Sequence, residues 1–264
     1  RFGTGKVLKY LRQCTRRNGG NGKVIDSHIT SDWLDYIRMA EALGLQLDLD
    51  IVRFPLDLKR RHNELASQVK EQQAMARASQ RKAAIEVRAQ ALEEKFSIEK
   101  IMRKAKKLYE YAGDTFCIRV PECAADIITD GEFLDHCVPR SDRYYERISE
   151  RESYIMFLRR AEKPDVPWYT LEVEPGGTIR QKRSYGNEQY DDLKEAAPFL
   201  EEWQRVVASR IGDDEKMLAQ RARGLRLAEF EELKEKQTVI RNGKLAGKLL
   251  VEELIADLIE NKCG

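Results

Sequence analysis

Apolar residues in the N-terminal third recur at helical spacing. Residues 6–17 predict a short basic helix, closed by Asn18-Gly19-Gly20-Asn21-Gly22, since Gly and Asn accept the backbone angles that end helices. Trp33, Ile37 and Ala40, joined by Tyr36, predict a second helix over 32–43, with Thr30 or Ser31 as its cap and Gly44 as its stop. Leu45, Leu47, Leu49 and Ile51 change the rhythm before Phe54-Pro55 imposes a rigid turn. From about Leu56 to Tyr111 the chain is rich in Ala, Glu, Lys, Gln and Arg with almost no breaker, which predicts one or two long helices. The apolar spacing there is too irregular for a sustained heptad, although Ala91, Leu92, Phe96, Ile98 and Ile101 suit packing on a neighbour.

Gly113 begins a different texture. Residues 115–120 predict a strand stopped by Pro121, followed by a turn or short helix at 123–128, a compact element at 131–138 and a helix at 141–149. Tyr154, Ile155, Phe157 and Leu158 suit a buried strand over 153–160, and Pro164 and Pro167 frame the next connection. The clearest local signal is a hairpin, with strands at 168–174 and 178–184 around Pro175-Gly176-Gly177. A three-residue connection sets Val173 opposite Ile179 and Leu171 opposite Gln181, whereas a two-residue Gly176-Gly177 turn sets Glu172 opposite Gln181. The apolar pattern favours the first, and one residue of register decides which polar groups meet. Asn187 falls in a loop after Tyr185-Gly186, and Pro198 fits the first turn of a helix through Leu200, Trp203, Val206 and Val207. Two amphipathic helices, 215–236 and 244–260, follow the Gly212-Asp213-Asp214 break. The expected fold class is α+β, predominantly helical with a small antiparallel β-containing central module. Its expected divisions are a helical region over 1–106, the module over 107–208 and a helical region over 209–264.

Composition narrows the class. A chain of 264 residues, 42% hydrophobic and 35% charged, fits a soluble helix-rich protein of one large domain or two modest ones. No apolar run approaches the roughly 20 residues that span a bilayer, so no membrane association is expected. Arg1-Phe2-Gly3 does not begin a secretory signal, and the absence of an initial Met is what an excised fragment would show. Cys14, Cys117, Cys123, Cys137 and Cys263 are scattered and odd in number, which fits a reducing, cytoplasmic setting rather than a disulfide framework. Zinc held by Cys117, Cys123, His136 and Cys137 is disfavoured because neighbouring ligands at 136 and 137 point apart. Charge is uneven: residues 59–107 carry 14 basic against 6 acidic side chains, residues 110–175 carry 8 against 15. Such asymmetry steers a polyanion, or holds two parts of a protein together.

His136-Cys137-Val138 brings a resemblance into view. Together with Trp33-Leu34-Asp35-Tyr36, Arg38-Met39, Phe54-Pro55, Leu58, His62, Tyr145, Ile155, Leu158-Arg159, Pro164 and Pro167, it resembles the PcfJ-like family, found on conjugative and other mobile elements of bacteria. Thr170-Leu171-Glu172, Gln181-Lys182-Arg183 and Gly186-Asn187 complete the resemblance in the expected order. Two places depart from it: Pro139 stands where the family tends to have Gly, and Ser184-Tyr185 precede Gly186 where the family has Gly at once. The resemblance implies an accessory role in DNA mobility or host–element interaction, with no assigned reaction.

The residues themselves offer several chemistries. His136, Cys137, Glu172 and Lys182 are the catalytic candidates, with His62 an alternative base for a Cys137 nucleophile. Adjacent strand residues face opposite ways, so a packed cysteine is the blander account. A metal-dependent phosphodiester hydrolase would use Asp135, Glu172 and Glu174 around a divalent ion such as Mg, with Lys182 near phosphate. The acidic-x-Lys strand motif is absent. His136, Thr170, Glu172, Gln181 and Asn187 alternatively line a small-ligand pocket, or simply tie the hairpin to nearby backbone. Arg77, Arg81, Lys82, Arg88, Lys104 and Lys107 are the nucleic-acid candidates, extended by Lys59, Arg60, Arg61 and Lys106; they would contact phosphates rather than bases. The expectation is a nucleic-acid-binding or nucleoprotein-organising accessory protein, with a protein partner on its helical surfaces. A hydrolase and a helical interaction scaffold are the alternatives.

Overall fold

In the computed structural model, which describes residues 3–241 and 245–261, the N-terminal helices form close to their expected places. Helix α1 spans Thr4–Arg17 and α2 spans Ser27–Ala42. The start of α2 corrects the expected cap: the Asp26 carboxylate accepts the His28 N–H at 2.8 Å, and Thr30 instead donates to the Asp26 carbonyl at 3.1 Å. An Asp one turn upstream thus captures the orphan donors before Thr30 can. A single turn, α3 (Asp50–Arg53), precedes the long α4 (Leu58–Phe96).

The chain divides into two compact units, 1–83 and 84–264. In the first, Trp33, Tyr36, Ile37, Leu58 and Leu65 are core residues alongside Tyr10 and Leu11. Tyr10 donates to the Pro55 carbonyl at 2.8 Å, Trp33 to that of Arg53 at 2.9 Å, and Tyr36 to that of Val52. Each ring fills the core while its polar end satisfies the chain leading into α4.

The second unit is built around a sheet. Ser97, in the left-handed region at φ 52°, separates α4 from α5 (Ile98–Tyr109). There follow β1 (Tyr111–Ala112), β2 (Phe116–Arg119), α6 (Ala124–Phe133), α7 (Asp142–Ser149), β3 (Tyr154–Arg160), β4 (Tyr169–Val173) and β5 (Ile179–Arg183). Helices α8 (Ala197–Arg210), α9 (Asp213–Glu235) and α10 (Leu250–Asp257) complete it. The strands lie in chain order β1 to β5, every neighbouring pair antiparallel. Ile118, Met156, Leu158 and Leu171 share one core with Met102, Tyr109 and Trp203 of the helices, so the fold is α+β and mostly helical. The sheet begins at Tyr111, whereas compactness divides the chain between 83 and 84, because α5 packs in the sheet's unit.

Three elements differ from expectation. The helix-forming run ends early, and Tyr111 and Ala112 pair with Ile118 and Cys117 as a strand. The expected element at 131–138 is divided between the end of α6, which stops at Phe133, and a 3-10 turn over Val138–Arg140. The expected helix over 244–260 contracts to α10, because Leu249 bridges Val239 and Ile259 bridges Ile179; Lys244, like Arg1, Phe2 and Cys263, lies outside the described residues. The second bridge is reciprocal, with N–H donors at 3.0 and 2.9 Å, and shields the free side of β5. Among the described residues no helix is long and apolar enough to cross a membrane.

Candidate functional site

The hairpin satisfies both expected registers at once. Val173 pairs with Ile179, as the apolar pattern favoured, yet Glu172 pairs with Gln181. The extra residue between the two partners is Arg180, so a β-bulge changes register within the strand. Near the turn, apolar residues keep the core; beyond it, Glu172 meets Gln181, whose amide donates to its carboxylate at 3.2 Å.

The bulge also gives Arg180 its surroundings. Its guanidinium donates at 2.6 Å to both Glu152 and Glu229 and lies 3.9 Å from Glu172 and 3.6 Å from Glu174. Arg147 reaches Glu172 at 2.8 Å, Glu229 at 2.6 Å and Glu152 at 3.1 Å, and Arg226 reaches Glu174 at 2.9 Å. Ser153 donates a further 2.8 Å bond to Glu172. Burial alone would raise the Glu172 pKa, but Arg147 and Arg180 overcome it and hold the carboxyl below its ordinary value. At Glu174 burial wins and the pKa is raised, despite Arg226 and Arg180. Each carboxylate thus accepts from one guanidinium, Arg147 for Glu172 and Arg226 for Glu174, with Arg180 within 4 Å of both, a pairing that offsets the cost of burying the charge.

Asp135 and Lys182, the other residues expected around a metal and phosphate, are engaged elsewhere. Asp135 takes the left-handed conformation beyond α6 and accepts Arg140 at 2.7 Å on the surface. Lys182 pairs across from Leu171, on the face opposite to Glu172, and its buried ammonium donates to the Asp257 carbonyl of α10. Burial lowers its pKa. Among the described residues no group of three or more His, Cys, Asp or Glu is arranged to hold a metal ion.

His136 and Thr170 do meet. Thr170 donates its hydroxyl to Asp130 Oδ2 at 2.5 Å, so its oxygen is left to accept; His136 Nε2, 2.8 Å away, must supply the proton. Arg159 pairs with the other oxygen of Asp130 and donates to the Leu158 and Tyr169 carbonyls at 3.2 Å. Burial lowers the His136 pKa to about 4, leaving a neutral imidazole, and raises that of Asp130 despite Arg159 and Thr170. His136 is 1% exposed, and its Nδ1 has no partner among the described residues. The chain of bonds fixes the 134–138 loop beneath β4. Gly131 is essential to this fit, because a Cβ there would stand 2.4 Å from Pro139 Cδ and 2.9 Å from His136 Cε1. Pro139 thus occupies space that Gly131 leaves.

Cys137 points the other way. Its exposed sulfur lies 3.7 Å from the Tyr144 hydroxyl and 3.8 Å from Asn187 Oδ1. His136 is bonded to Thr170 and is not its base, and His62 belongs to the 1–83 unit. The polar constellation is thus split into an inward His136–Thr170–Asp130–Arg159 chain, a Glu172–Gln181 pair within the arginine network, and an outward Cys137–Asn187 contact. Asp130 and Arg147 were missed by sequence reasoning, because side chains they meet, Arg159 and Thr170 for Asp130 and Glu172 for Arg147, lie 25 to 40 residues away.

The basic candidates also separate. Arg77, Arg81 and Lys82 are exposed on α4 in the first unit, and Arg81 and Lys82 are already engaged in interactions. In the second unit, Arg88 pairs with Asp142 at the start of α7 and Lys106 with Glu122 at 2.8 Å. Lys104 and Lys107 remain exposed on α5 together with Lys100, and none of the three has an ion pair among the described residues. Positions 100, 104 and 107 follow helical spacing, a signal present in the sequence that would have added Lys100.

An antiparallel five-stranded meander, interrupted by α6 and α7 and locked by buried arginine–glutamate pairs, defines the class of module. The chain belongs to the PcfJ-like protein family, whose profile matches residues 32–197. A Listeria innocua serovar 6a protein described as "Uncharacterized protein Lin1253/Lin1744" is 27% identical over 187 residues, covering 68% of this chain and 35% of that relative. The chain spans about a third of the length of that curated relative. No solved structure matches.

Proposed function

We propose that this chain is a nucleic-acid-binding part of a mobile-element accessory protein, and that it holds the phosphate backbone along α5. The observation that carries this reading is the row Lys100, Lys104 and Lys107, exposed and without acidic partners among the described residues. By contrast, four buried arginines of the same unit, Arg147, Arg159, Arg180 and Arg226, are each matched against carboxylates. Charge left unmatched on a helix face is what a polyanion uses, because each neutralised phosphate releases condensed counterions. The association with mobile elements that the resemblance implies supports nucleic acid as the polyanion. Recognition of this kind is weakly selective for sequence, since phosphates carry no base information.

Fluorescence anisotropy with a labelled single strand, repeated across salt concentrations, tests it. Replacing Lys100, Lys104 and Lys107 with Ala should weaken binding and reduce the slope of log K against log salt by about 2, at about 0.7 per lost phosphate contact. Unchanged affinity and slope in the triple variant would overturn the assignment. Metal-dependent hydrolysis is less well supported, because Arg147 pairs with the Glu172 carboxylate and Arg226 with that of Glu174.

A further inference from the structure

Lys100 and Lys104 do more than line a helix face: they form one wall of a cleft of about 370 Å³ within the second unit. Lys95 and Arg151 complete its cationic lining, against the single carboxylate of Glu215. Glu215 is itself consumed, accepting Tyr109 at 2.5 Å, Arg151 at 3.2 Å and Tyr154 at 3.4 Å. Lys95 is shared with Asp142 at 3.3 Å, whereas Lys100 and Lys104 have no counter-charge among the described residues. The lining is therefore built with positive charge in excess.

Arg151 makes the cleft more than a patch of lysines. Glu215 anchors one nitrogen of its guanidinium, and its half-exposed side chain retains further N–H donors for a ligand. Its backbone is left-handed at φ 56°, a position just beyond α7 where glycine ordinarily ends a helix. Across the cleft Ser97, also left-handed at φ 52°, adds a hydroxyl at the α4–α5 break. Burial pushes the Tyr154 pKa up to about 12, so its hydroxyl stays protonated on the inner wall. Ile101 and Leu108 supply an apolar side.

We infer that this cleft binds a terminal phosphate monoester attached to a nucleoside, the phosphate between Lys100, Lys104 and Arg151 and the sugar or base against Ile101 and Leu108. A monoester carries about −1.5 to −2 charge near neutrality and presents three acceptor oxygens, which suits this lining better than the single charge of a backbone diester. A recess of this size admits a chain end or a mononucleotide rather than the side of a duplex. The inference deepens the proposed function, on which it rests: α5 would hold the end of a strand as well as its backbone. The two sources of the same group are a 5′-phosphorylated strand and a free nucleotide.

The test uses the full chain and single strands labelled at the 3′ end, one bearing a 5′-phosphate and the other a 5′-hydroxyl, with a nucleoside monophosphate followed in parallel by calorimetry. The phosphorylated strand should bind about tenfold more tightly, the order expected for charge-assisted bonds. That preference should vanish in K100A/K104A and fall in R151G, which keeps a backbone suited to the turn. Equal affinity for both strands would overturn the cleft assignment while leaving backbone binding standing. Failure of both strands, with the mononucleotide still bound and released by K100A/K104A, would keep the cleft as a free-nucleotide site and sink the nucleic-acid reading. No binding of either strand or of the mononucleotide would overturn both.

Discussion

Two charged regions of the second unit behave in opposite ways. Under the hairpin, Arg147, Arg180 and Arg226 meet Glu152, Glu172, Glu174 and Glu229, with the arginines between 2% and 7% exposed. Along α5, Lys100, Lys104 and Lys107 are exposed and make no ion pair among the described residues. Side-chain chemistry explains the division. Guanidinium is planar and bridges several carboxylates at once, so it suits a buried network; a lysine on a flexible stem is a compact charge that stays hydrated at the surface. The residue names in the two regions are equally charged, but only in the first are the charges matched within the unit.

The largest effect should come from unbalancing the matched region. Glu172→Gln leaves Arg147 and Arg180 without a full counter-charge and should cost about 3 kcal/mol in urea unfolding, in the range for broken buried pairs. A loss below about 1 kcal/mol would erase the contrast, because the network would then be no more structural than a surface pair.

An effect of similar size should appear on acidification. The folded His136 pKa is depressed from 6.5 to about 4 by burial, so the fold favours the neutral ring. Its contribution is fully present above pH 6.5 and is lost as pH falls toward 4, by up to about 3 kcal/mol. Asp130, whose pKa burial raises, works in the opposite direction on the same limb. Comparing stability against pH for the wild-type protein and His136→Gln isolates the histidine. Parallel curves from pH 6.5 to 4 would remove it from the account.

Gly131→Ala should come next, at about 1–3 kcal/mol, since the new methyl collides with the Pro139 ring and overpacking costs of that order. Restored stability in Gly131→Ala combined with Pro139→Gly would confirm that the two positions share one space; an unimproved double variant would refute it. Cys137→Ser should change stability by less than about 0.5 kcal/mol, as expected of an exposed side chain. Alkylation followed by peptide mapping should modify Cys137 well before buried Cys14 and Cys117, and the reverse order would contradict its outward placement.

How much of this could be read along the chain depends on the range of the forces involved. The long helices and the Pro175-Gly176-Gly177 hairpin are written in local propensity and turn chemistry, and both appear where expected. The arginine network is not local: Arg147 and Glu229 are separated by 82 residues and Arg226 and Glu174 by 52, so no window of sequence contains the pair. Residues singled out for chemistry, Glu172 and Lys182, are opposed by strand alternation, a consequence of a register that the turn alone left open. The α5 row lies between these extremes, since its spacing is visible but the absence of partners is a property of the fold. Arg151, the residue that closes the cleft, gives no local signal at all.

The bulge at Arg180 also governs how related sequences must be compared. One inserted residue lets the turn end and the far end of β5 obey different pairings, so the hairpin behaves as two short segments joined by a step. Deleting that step moves Gln181 and Lys182 to exchanged sides of the sheet while leaving Ile179 where it is. A relative that lacks it must add a residue elsewhere in the hairpin to keep the same amide against the same glutamate. Gap placement in this strand is therefore a physical statement about which side chain faces which layer, and length changes here should come in compensating pairs.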